Sequence, residues 1–196
     1  RPAPHLVPAG CVVPADGVRS NEPSLSVRAT AIAGSTSNAS IQQTQPIGAA
    51  TELSITFLGM GRASKAANIS LAFVVLMPMA ANETFSLYLP KFTLRDGSPS
   101  KLNVRANTTD ASPFPMDATW NTSWSNGSTP KLDLRLGQKL PAQQRLSILV
   151  DQDAGIRLPR SGVRQLDQSD IQVSANAVNG TLVPTKVTHV EPVGSF

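Results

Sequence analysis

The sequence predicts an all-β fold in which sheets pack as a sandwich. Three observations predict it. Apolar and polar residues alternate along several short segments, and no segment has the apolar period of a helix. The 196 residues include 13 glycines and 16 prolines, which indicates many turns. A pattern of glycine, proline and apolar residues near the start of the chain also returns near its end.

Strands are predicted where the alternation is regular. Segments 71–75 and 85–89 are expected to pair as a β-hairpin, with 71–75 in the middle of a sheet because apolar residues occupy both of its faces. Many short strands separated by turns give the fold an immunoglobulin-like sandwich character. The predicted strands are 53–57, 71–75, 85–89, 102–106, 118–124, 132–136 and 146–150, with a loop at 107–116.

The returning pattern spans residues 10–48 and 155–194. Matching glycines and prolines fix the backbone path, so we interpret the chain as about one and a third copies of a unit of roughly 145 residues. The matched pairs are Gly10 and Gly155, Pro14 and Pro159, Gly17 and Gly162, Val18 and Val163, Arg19 and Arg164 and, after a one-residue gap, Gly34 and Gly180, Pro46 and Pro192, and Gly48 and Gly194.

One unit needs only one copy of the duplicated segment, so we expect the other copy to be covered by a neighbouring subunit or by the next repeat. The sequence leaves open which copy is the spare one. The expected assembly edge consists of residues that match between the copies. They are Val12, Val18, Leu25 and Val27 in the first copy and Val163, Ile171 and Val173 in the second, with Arg157 as the weakest match.

The predicted organisation has three parts. Residues 1–23 form a lead-in and repeat corner, residues 24–165 form the sandwich unit, and residues 166–196 begin a second copy that packs on a neighbour. A shift of 61 residues also superposes 71–89 on 132–150 without a gap. The unit is therefore expected to contain two related halves, about 24–92 and 93–165, each built on a β-hairpin and packed as one sandwich or as two small ones.

Asparagines provide the evidence on compartment. Seven of the ten stand in Asn-x-Ser/Thr with x not proline, whereas chance supplies about two. This density predicts a secreted, extracellular or cell-surface protein that carries N-linked glycans. The predicted sites are Asn38, Asn68, Asn82, Asn107, Asn121, Asn126 and Asn179.

Charge and hydropathy limit the expected partners. The formal net charge is +4, and the basic residues are scattered without a run or interleaved aromatic residues. This pattern favours a solvated surface that tolerates acidic polysaccharide over a nucleic-acid site. No membrane span is predicted, because the longest apolar run, 69–81, is short and contains Pro78. Residues 1–10 have no apolar signal-peptide core, so an export signal is expected outside the 196 residues.

Residues for catalysis, metals or cofactors are sparse, and none of these functions is predicted. Cys11 is the sole cysteine and is expected to be buried, while His5 and His189 stand in no recognisable motif. Residues 151–155 imitate part of a calcium loop, but a polar turn is the better interpretation.

Carboxylates and aromatic rings offer two rival functions. Asp110, Asp117 and Asp133 could supply a glycosidase pair, although nothing in the sequence brings two of them together. Trp120 and Trp124, four residues apart, are expected on one face of a strand with Asn121 on the other. Their rings are a candidate sugar platform, with Tyr88 as a third ring, and the core is their alternative location.

Three segments carry a resemblance to a known class of repeats. GIRLPRSGVR at 155–164, its echo GCVVPADGVRSNEPSLSV at 10–27, and FSLYLPKF at 85–92 resemble the tandem β-sandwich repeats of very large secreted surface glycoproteins of algae and related protists. The resemblance implies an extracellular structural role in coats, appendages or filaments, with no catalytic residues to carry over. Cys11 departs from it, since an aliphatic residue is expected there.

The combined prediction is a structural subunit of an extracellular filament or coat. Its expected partners are copies of itself, joined head to tail as a homopolymer through shared strands, with glycans on the outside. The alternative is a surface adhesin or lectin-like module that binds carbohydrate through Trp120 and Trp124. A secreted hydrolase that uses His189 is a third hypothesis.

Overall fold

The computed structural model describes residue 18 and residues 22–35, 37–43, 47–59, 61–95, 101–109, 111–121, 129–165 and 170–194. Several residues of the sequence predictions lie outside this part of the chain: His5, Cys11, Val12, Asp110, Trp124 and Asn126. Within it, the regular structure is β-strand apart from one short 3₁₀ helix, Gln152–Ala154, which confirms the all-β prediction. Among the described residues, no helix is long and apolar enough to cross a lipid bilayer.

The described strands, in chain order, are β1 (Ser26–Val27), β2 (Thr30–Ala31), β3 (Gly34–Ser35), β4 (Ala39–Ser40), β5 (Ala50–Leu58), β6 (Asn68–Val75), β7 (Thr84–Tyr88), β8 (Thr93–Leu94), β9 (Lys101–Leu102), β10 (Val104–Thr108), β11 (Pro113–Phe114), β12 (Met116–Asn121), β13 (Lys131–Leu136), β14 (Gln144–Val150), β15 (Ile156–Arg157), β16 (Gln172–Asn176), β17 (Leu182–Lys186) and β18 (His189–Val190). The predicted strand at 102–106 is divided between β9 and β10, which belong to different sheets.

Two six-stranded sheets form a sandwich. The first has the order β11-β10-β14-β6-β5-β18, and the second has the order β17-β16-β7-β13-β12-β9. Neighbouring strands are antiparallel except β18, which runs parallel to β5. Along the long strands every second side chain is buried, and these side chains from both sheets form one apolar cluster. The regular alternation in the sequence therefore reports the inner face of each sheet.

Aromatic contacts tie the two sheets together. Phe73 on β6 and Phe85 on β7 meet edge to face, with their ring centroids 4.8 Å apart. The two strands belong to opposite sheets, so this contact spans the sandwich. An aromatic pair of this geometry contributes about 0.5–1.5 kcal/mol beyond the burial of its rings.

The predicted hairpin of 71–75 with 85–89 is wrong. β6 pairs with β5 and β14, whereas β7 pairs with β13 and β16. Residues 76–83 instead form an arch from one sheet to the other, and the buried side chains of Met77 and Met79 line it. Alternation cannot distinguish an arch from a hairpin, because it reports which face of a strand is buried and not which strand lies beside it.

The 61-residue shift is visible in the strand pairing. Leu71 of β6 lies opposite Ile148 of β14 in the first sheet. The shifted equivalents, Leu132 of β13 and Leu87 of β7, lie opposite each other in the second sheet. Residues 137–143 form a second arch, from β13 in the second sheet to β14 in the first. The two arches make equivalent contacts with each other, as the subunits of a symmetric dimer do, so an approximate two-fold axis relates them.

The axis passes through the bridge between Met79 and Leu140, which the same shift maps onto itself. Each residue donates its N–H to the carbonyl of the other at 2.9 Å. Three residues further on, Asn82 and Gln143 both have a positive φ, of 73° and 59°. Each arch therefore has an equivalent turn, with the same uncommon backbone conformation, three residues after the axis.

One sandwich contains strands from both predicted halves and also strands from residues 170–194. β16 and β17 belong to the second sheet, and β18 belongs to the first. The expectation that residues 166–196 pack on a neighbour is therefore corrected for the described residues 170–194, which complete the sandwich of their own chain. They are needed there because, without β16, one edge of β7 would have no neighbouring strand.

A contact between two glycines joins the start of the sandwich to its last hairpin. Gly48 donates its N–H to the carbonyl of Thr181 at 3.0 Å. A Cβ on Gly48 would lie 2.2 Å from the carbonyl oxygen of Gly180, which is closer than any real Cβ contact. At the matched position, a Cβ on Gly194 would have no heavy atom within 4 Å.

We predict opposite outcomes for Gly48→Ala and Gly194→Ala. Gly48→Ala forces backbone apart and should lower the free energy of unfolding by about 1–3 kcal/mol. Gly194→Ala enters open space and should change it by less than about 0.5 kcal/mol. Urea denaturation measures both, and equal effects would contradict the close contact at Gly48.

Candidate assembly interface

In the first copy of the duplicated pattern, residues 25–35 and 37–41 form a small β-hairpin, here named the exposed hairpin. Ser26 lies opposite Ser40 and Val27 lies opposite Ala39. Ile41 donates its N–H to the carbonyl of Leu25 at 2.9 Å. The register of this hairpin is thereby fixed at its base.

The second copy forms a hairpin of the same register, residues 171–187, here named the packed hairpin. Gln172 lies opposite Lys186 and Val173 lies opposite Thr185. Val187 donates its N–H to the carbonyl of Ile171 at 3.1 Å. Each of these contacts lies 146 residues beyond its counterpart in the exposed hairpin. The two hairpins therefore have the same strand register and the same closing hydrogen bond at their base.

Their tips also match. Ala31 lies opposite Gly34 in the exposed hairpin, and Gly180 donates its N–H to the carbonyl of Ala177 in the packed hairpin at 3.1 Å. Gly34 has φ 130° and Gly180 has φ 150°. This region of backbone space is open only to glycine, which explains why both positions carry one.

A backbone bridge also joins the residues that flank each hairpin. Val18 and Ile47 donate their N–H groups to each other's carbonyls at 2.9 Å. Val163 and Val193, at the matched positions, do the same at 2.9 and 2.8 Å. The duplicated pattern therefore makes the same backbone bridge twice.

The two hairpins differ in burial. Leu25 is 37% exposed and its counterpart Ile171 is 1% exposed. Val27 is 57% exposed and its counterpart Val173 is 0% exposed. Full burial of such a side chain is worth about 1.5–3 kcal/mol. The exposed hairpin therefore leaves an apolar stripe in solvent that its twin buries.

The packed hairpin rests on β7. Val173 lies opposite Leu87 and Ala175 lies opposite Phe85, with all four side chains directed into the core. On the outer face, Ser174 Oγ lies 3.4 Å from the hydroxyl of Tyr88. This pairing defines the seat that a hairpin of this sequence pattern occupies.

The edges of the described sandwich are poor docking sites for another strand. β9, β11 and β18 have two residues each. β17 is longer but contains Pro184, which lacks a backbone N–H. Short strands and proline are the usual means of ending a sheet. The exposed hairpin brings three exposed apolar side chains together at its base, Leu25, Val27 and Ile41. Leu58 on β5 and Val183 on β17 are also exposed, and they lie on different sheets.

The expected assembly edge is divided by the structure. Leu25 and Val27 are exposed, and Val18 is half-buried in its bridge to Ile47. Three residues of the second copy are buried in the core of their own chain, and their assignment to a shared edge is corrected: Val163, Ile171 and Val173. Arg157 is exposed and lies opposite Thr93, and Val12 lies outside the described residues.

The sequence pattern alone did not assign Ile41 or β7 to the assembly interface. Ile41 matches Val187 under the same 146-residue shift, so the signal was present in the alignment of the two copies. The role of β7 had no comparable signal, because strand pairing between distant segments leaves no mark on a single sequence.

The sugar platform is corrected for Trp120. Its side chain is 4% exposed and belongs to the core cluster, so it cannot stack on a sugar. Trp124 lies outside the described residues, and Tyr88 is half-buried on the outer face of the second sheet.

The described glycosylation sites differ in exposure. Asn68 and Asn121 are half-buried, and both amides already make hydrogen bonds. The backbone N–H of Gln152 donates to Asn68 Oδ1 at 2.6 Å, and Asn121 Nδ2 donates to Asp133. Four sites have exposed side chains: Asn38, Asn82, Asn107 and Asn179. Asn126 lies outside the described residues.

Two of the three carboxylates considered for catalysis come to one surface. Asp117 on β12 and Asp133 on β13 face outward, one diagonal step apart in the pairing, a proximity that the sequence did not predict. Each forms an ion pair with a lysine at 3.2 Å, Asp117 with Lys101 and Asp133 with Lys131.

The calcium-like segment is a turn held by an ion pair. Asp151 precedes the 3₁₀ helix, and Arg105 Nη2 lies 2.6 Å from its carboxylate. His189 is exposed on β18. In the described ranges, no group of three or more His, Cys, Asp and Glu side chains is placed to hold a metal ion.

Comparison with models of known protein families and with curated proteins finds no match for this chain. The resemblance to algal and protist surface repeats therefore stays a prediction from sequence pattern.

We predict that the same substitution has opposite consequences in the two hairpins. Val173→Asp buries an unpaired charge and should lower the free energy of unfolding by more than about 3 kcal/mol. Val27→Asp meets solvent and should change it by less than about 0.5 kcal/mol. Thermal and urea denaturation of the two variants test this, and comparable losses would show that the exposed hairpin is packed in solution.

Proposed function

We propose that this chain is a structural subunit of an extracellular glycoprotein filament or cell-surface coat, in which units are joined head to tail by a shared β-hairpin. One observation carries the proposal. The same hairpin occurs twice in the chain in the same register, with its apolar stripe buried once and bare once.

The energetics favour a covered hairpin. A two-stranded hairpin alone is marginal in water, and its bare Leu25 and Val27 gain free energy wherever they leave solvent. An open sheet edge supplies both an apolar surface and main-chain hydrogen bonds, which is how strand addition joins proteins.

The geometry favours an open series of units. A joint between the exposed hairpin of one unit and an uncovered β7 of another unit is head to tail, because the two are different surfaces of the sandwich. Such a contact extends as a fibre unless its rotation closes a ring. Within one unit, the contact of Gly48 with Gly180 holds the backbone that follows the exposed hairpin against the packed hairpin.

The glycosylation sites support the extracellular part of the proposal. Exposed sites lie on one strand, in two turns and in the exposed hairpin, so their glycans would cover the outside of a filament or coat. Asn107 faces outward on β10, and Asn82 and Asn179 lie in turns. A glycan shell of this kind adds solubility and limits proteolysis.

We predict that the protein isolated from its native source sediments as assemblies of many units. Excess peptide with the sequence of residues 22–43 should occupy the hairpin seats and release units, because it carries the whole apolar stripe. The matched control is the same peptide with Val27→Lys, which places a charge in the stripe. Sedimentation as single chains, or equal release by both peptides, would contradict a joint made by this hairpin.

We also predict glycans at the four exposed sites. Enzymatic release of N-glycans in heavy-oxygen water, followed by peptide mass mapping, should label Asn38, Asn82, Asn107 and Asn179 in native material. Absence of label at all four would refute the proposed passage through the secretory pathway.

A further inference from the structure

We infer that the exposed hairpin docks on the β7 position of another sandwich of the same kind, at a unit whose own packed hairpin does not cover that edge. The inference names the partner surface of the proposed joint and rests on the proposed function. It follows from the pairing of β16 with β7 and from the 146-residue correspondence between the hairpins.

The correspondence fixes the register of docking. Transferred onto β7, the exposed hairpin places Val27 opposite Leu87 and Ala29 opposite Phe85. These two positions carry the same residue types, valine and alanine, in the packed hairpin. The transferred strand runs antiparallel to β7, as β16 does.

Residue size supports this register. Phe85 is fully buried, and its ring already packs against Phe73 at 4.8 Å between centroids. The packed hairpin places Ala175 opposite Phe85, a small residue beside a large ring. The exposed hairpin brings Ala29 to the same place, so it adds no bulk beside the ring.

The polar positions fit as well. In the docked register Ser26, Arg28 and Thr30 take the outward positions of β16, which lie outside the core and are half-buried or exposed. Asn38 takes the position of Pro184 on the outer strand, which is exposed at the sheet edge. A glycan on Asn38 would therefore point away from the joint and would end the sheet there, as proline does in the packed hairpin.

An intact second copy cannot be the acceptor at this edge. Its β7 is already covered by a hairpin that buries Ile171, Val173, Leu182 and Val187. At the position of Leu182 the exposed hairpin has Thr36, which offers less apolar surface. The exposed hairpin is thus the weaker competitor for an occupied seat, and its partner is a unit of this sandwich with an open β7.

A hairpin exchange within the full chain tests the acceptor directly. In the graft, residues 171–187 are replaced by the sequence of residues 25–41, which has the same length. In the control graft they are replaced by residues 24–40, the same sequence slipped by one residue. The slip turns the apolar stripe toward solvent while the composition stays almost unchanged.

The in-register graft should unfold in one cooperative transition, with a melting temperature within about 10 °C of the parent chain. The β7 amides should keep their protection from hydrogen exchange. The slipped graft should lose both the transition and the protection. If the two grafts behave alike, whether folded or unfolded, the assignment of β7 as the acceptor is overturned.

The outcome is independent of the sedimentation test of the proposed function. The in-register graft could fold while the native protein sediments as single chains. That result would support β7 as the acceptor for the exposed hairpin and contradict the filament. Conversely, the in-register graft could fold no better than the slipped graft while the 22–43 peptide dissolves native assemblies. That result would support the filament and contradict β7 as the acceptor.

Discussion

The pairing of the packed hairpin with β7 is the contact on which the second sheet depends. β7 lies inside the second sheet only because β16 covers one of its edges and β13 covers the other. Phe85 and Leu87, both buried, need that cover to stay out of water. The chain supplies such a hairpin at residues 171–187 and carries another, with the same register, at residues 25–41. The exposed hairpin has the residues to cover such a strand edge but covers none in its own chain, and this is the physical basis of the proposed assembly.

The body of the sandwich depends on a second regularity, the two-fold relation between its arches. The Met79–Leu140 bridge lies at the axis, and equivalent pairs such as Leu71–Ile148 and Leu132–Leu87 lie on either side. Equivalent pairs bury similar side chains in both sheets, so the two halves complete one core. A half by itself would leave the inner face of its arch open, which explains why the halves form one sandwich and not two.

Much of the fold could be predicted from the sequence, because side-chain alternation records burial directly. The inward residues of β5, β6, β13 and β14 all follow from it. The arches could not be predicted, since a strand that crosses to the other sheet has the same alternation as a strand that turns back. The location of Trp120 is a similar case: its position in a strand was predictable, but its face depended on which sheet β12 joined. The apolar match between the two hairpins could also be predicted from the sequence. Their difference in burial could not, because it depends on contacts between β7 and a hairpin far from it in sequence.

The most direct measurement is hydrogen exchange of the two hairpins in the isolated chain and in native material. We predict that amides of β1 and β2 exchange rapidly in the isolated chain and become protected in native material, because an uncovered β7 of a neighbouring unit then covers the exposed hairpin. The amides of β16 serve as the internal reference and should be protected in both. Rapid exchange of β1 and β2 in native material, with β16 protected, would contradict the claim that the exposed hairpin joins one unit to the next.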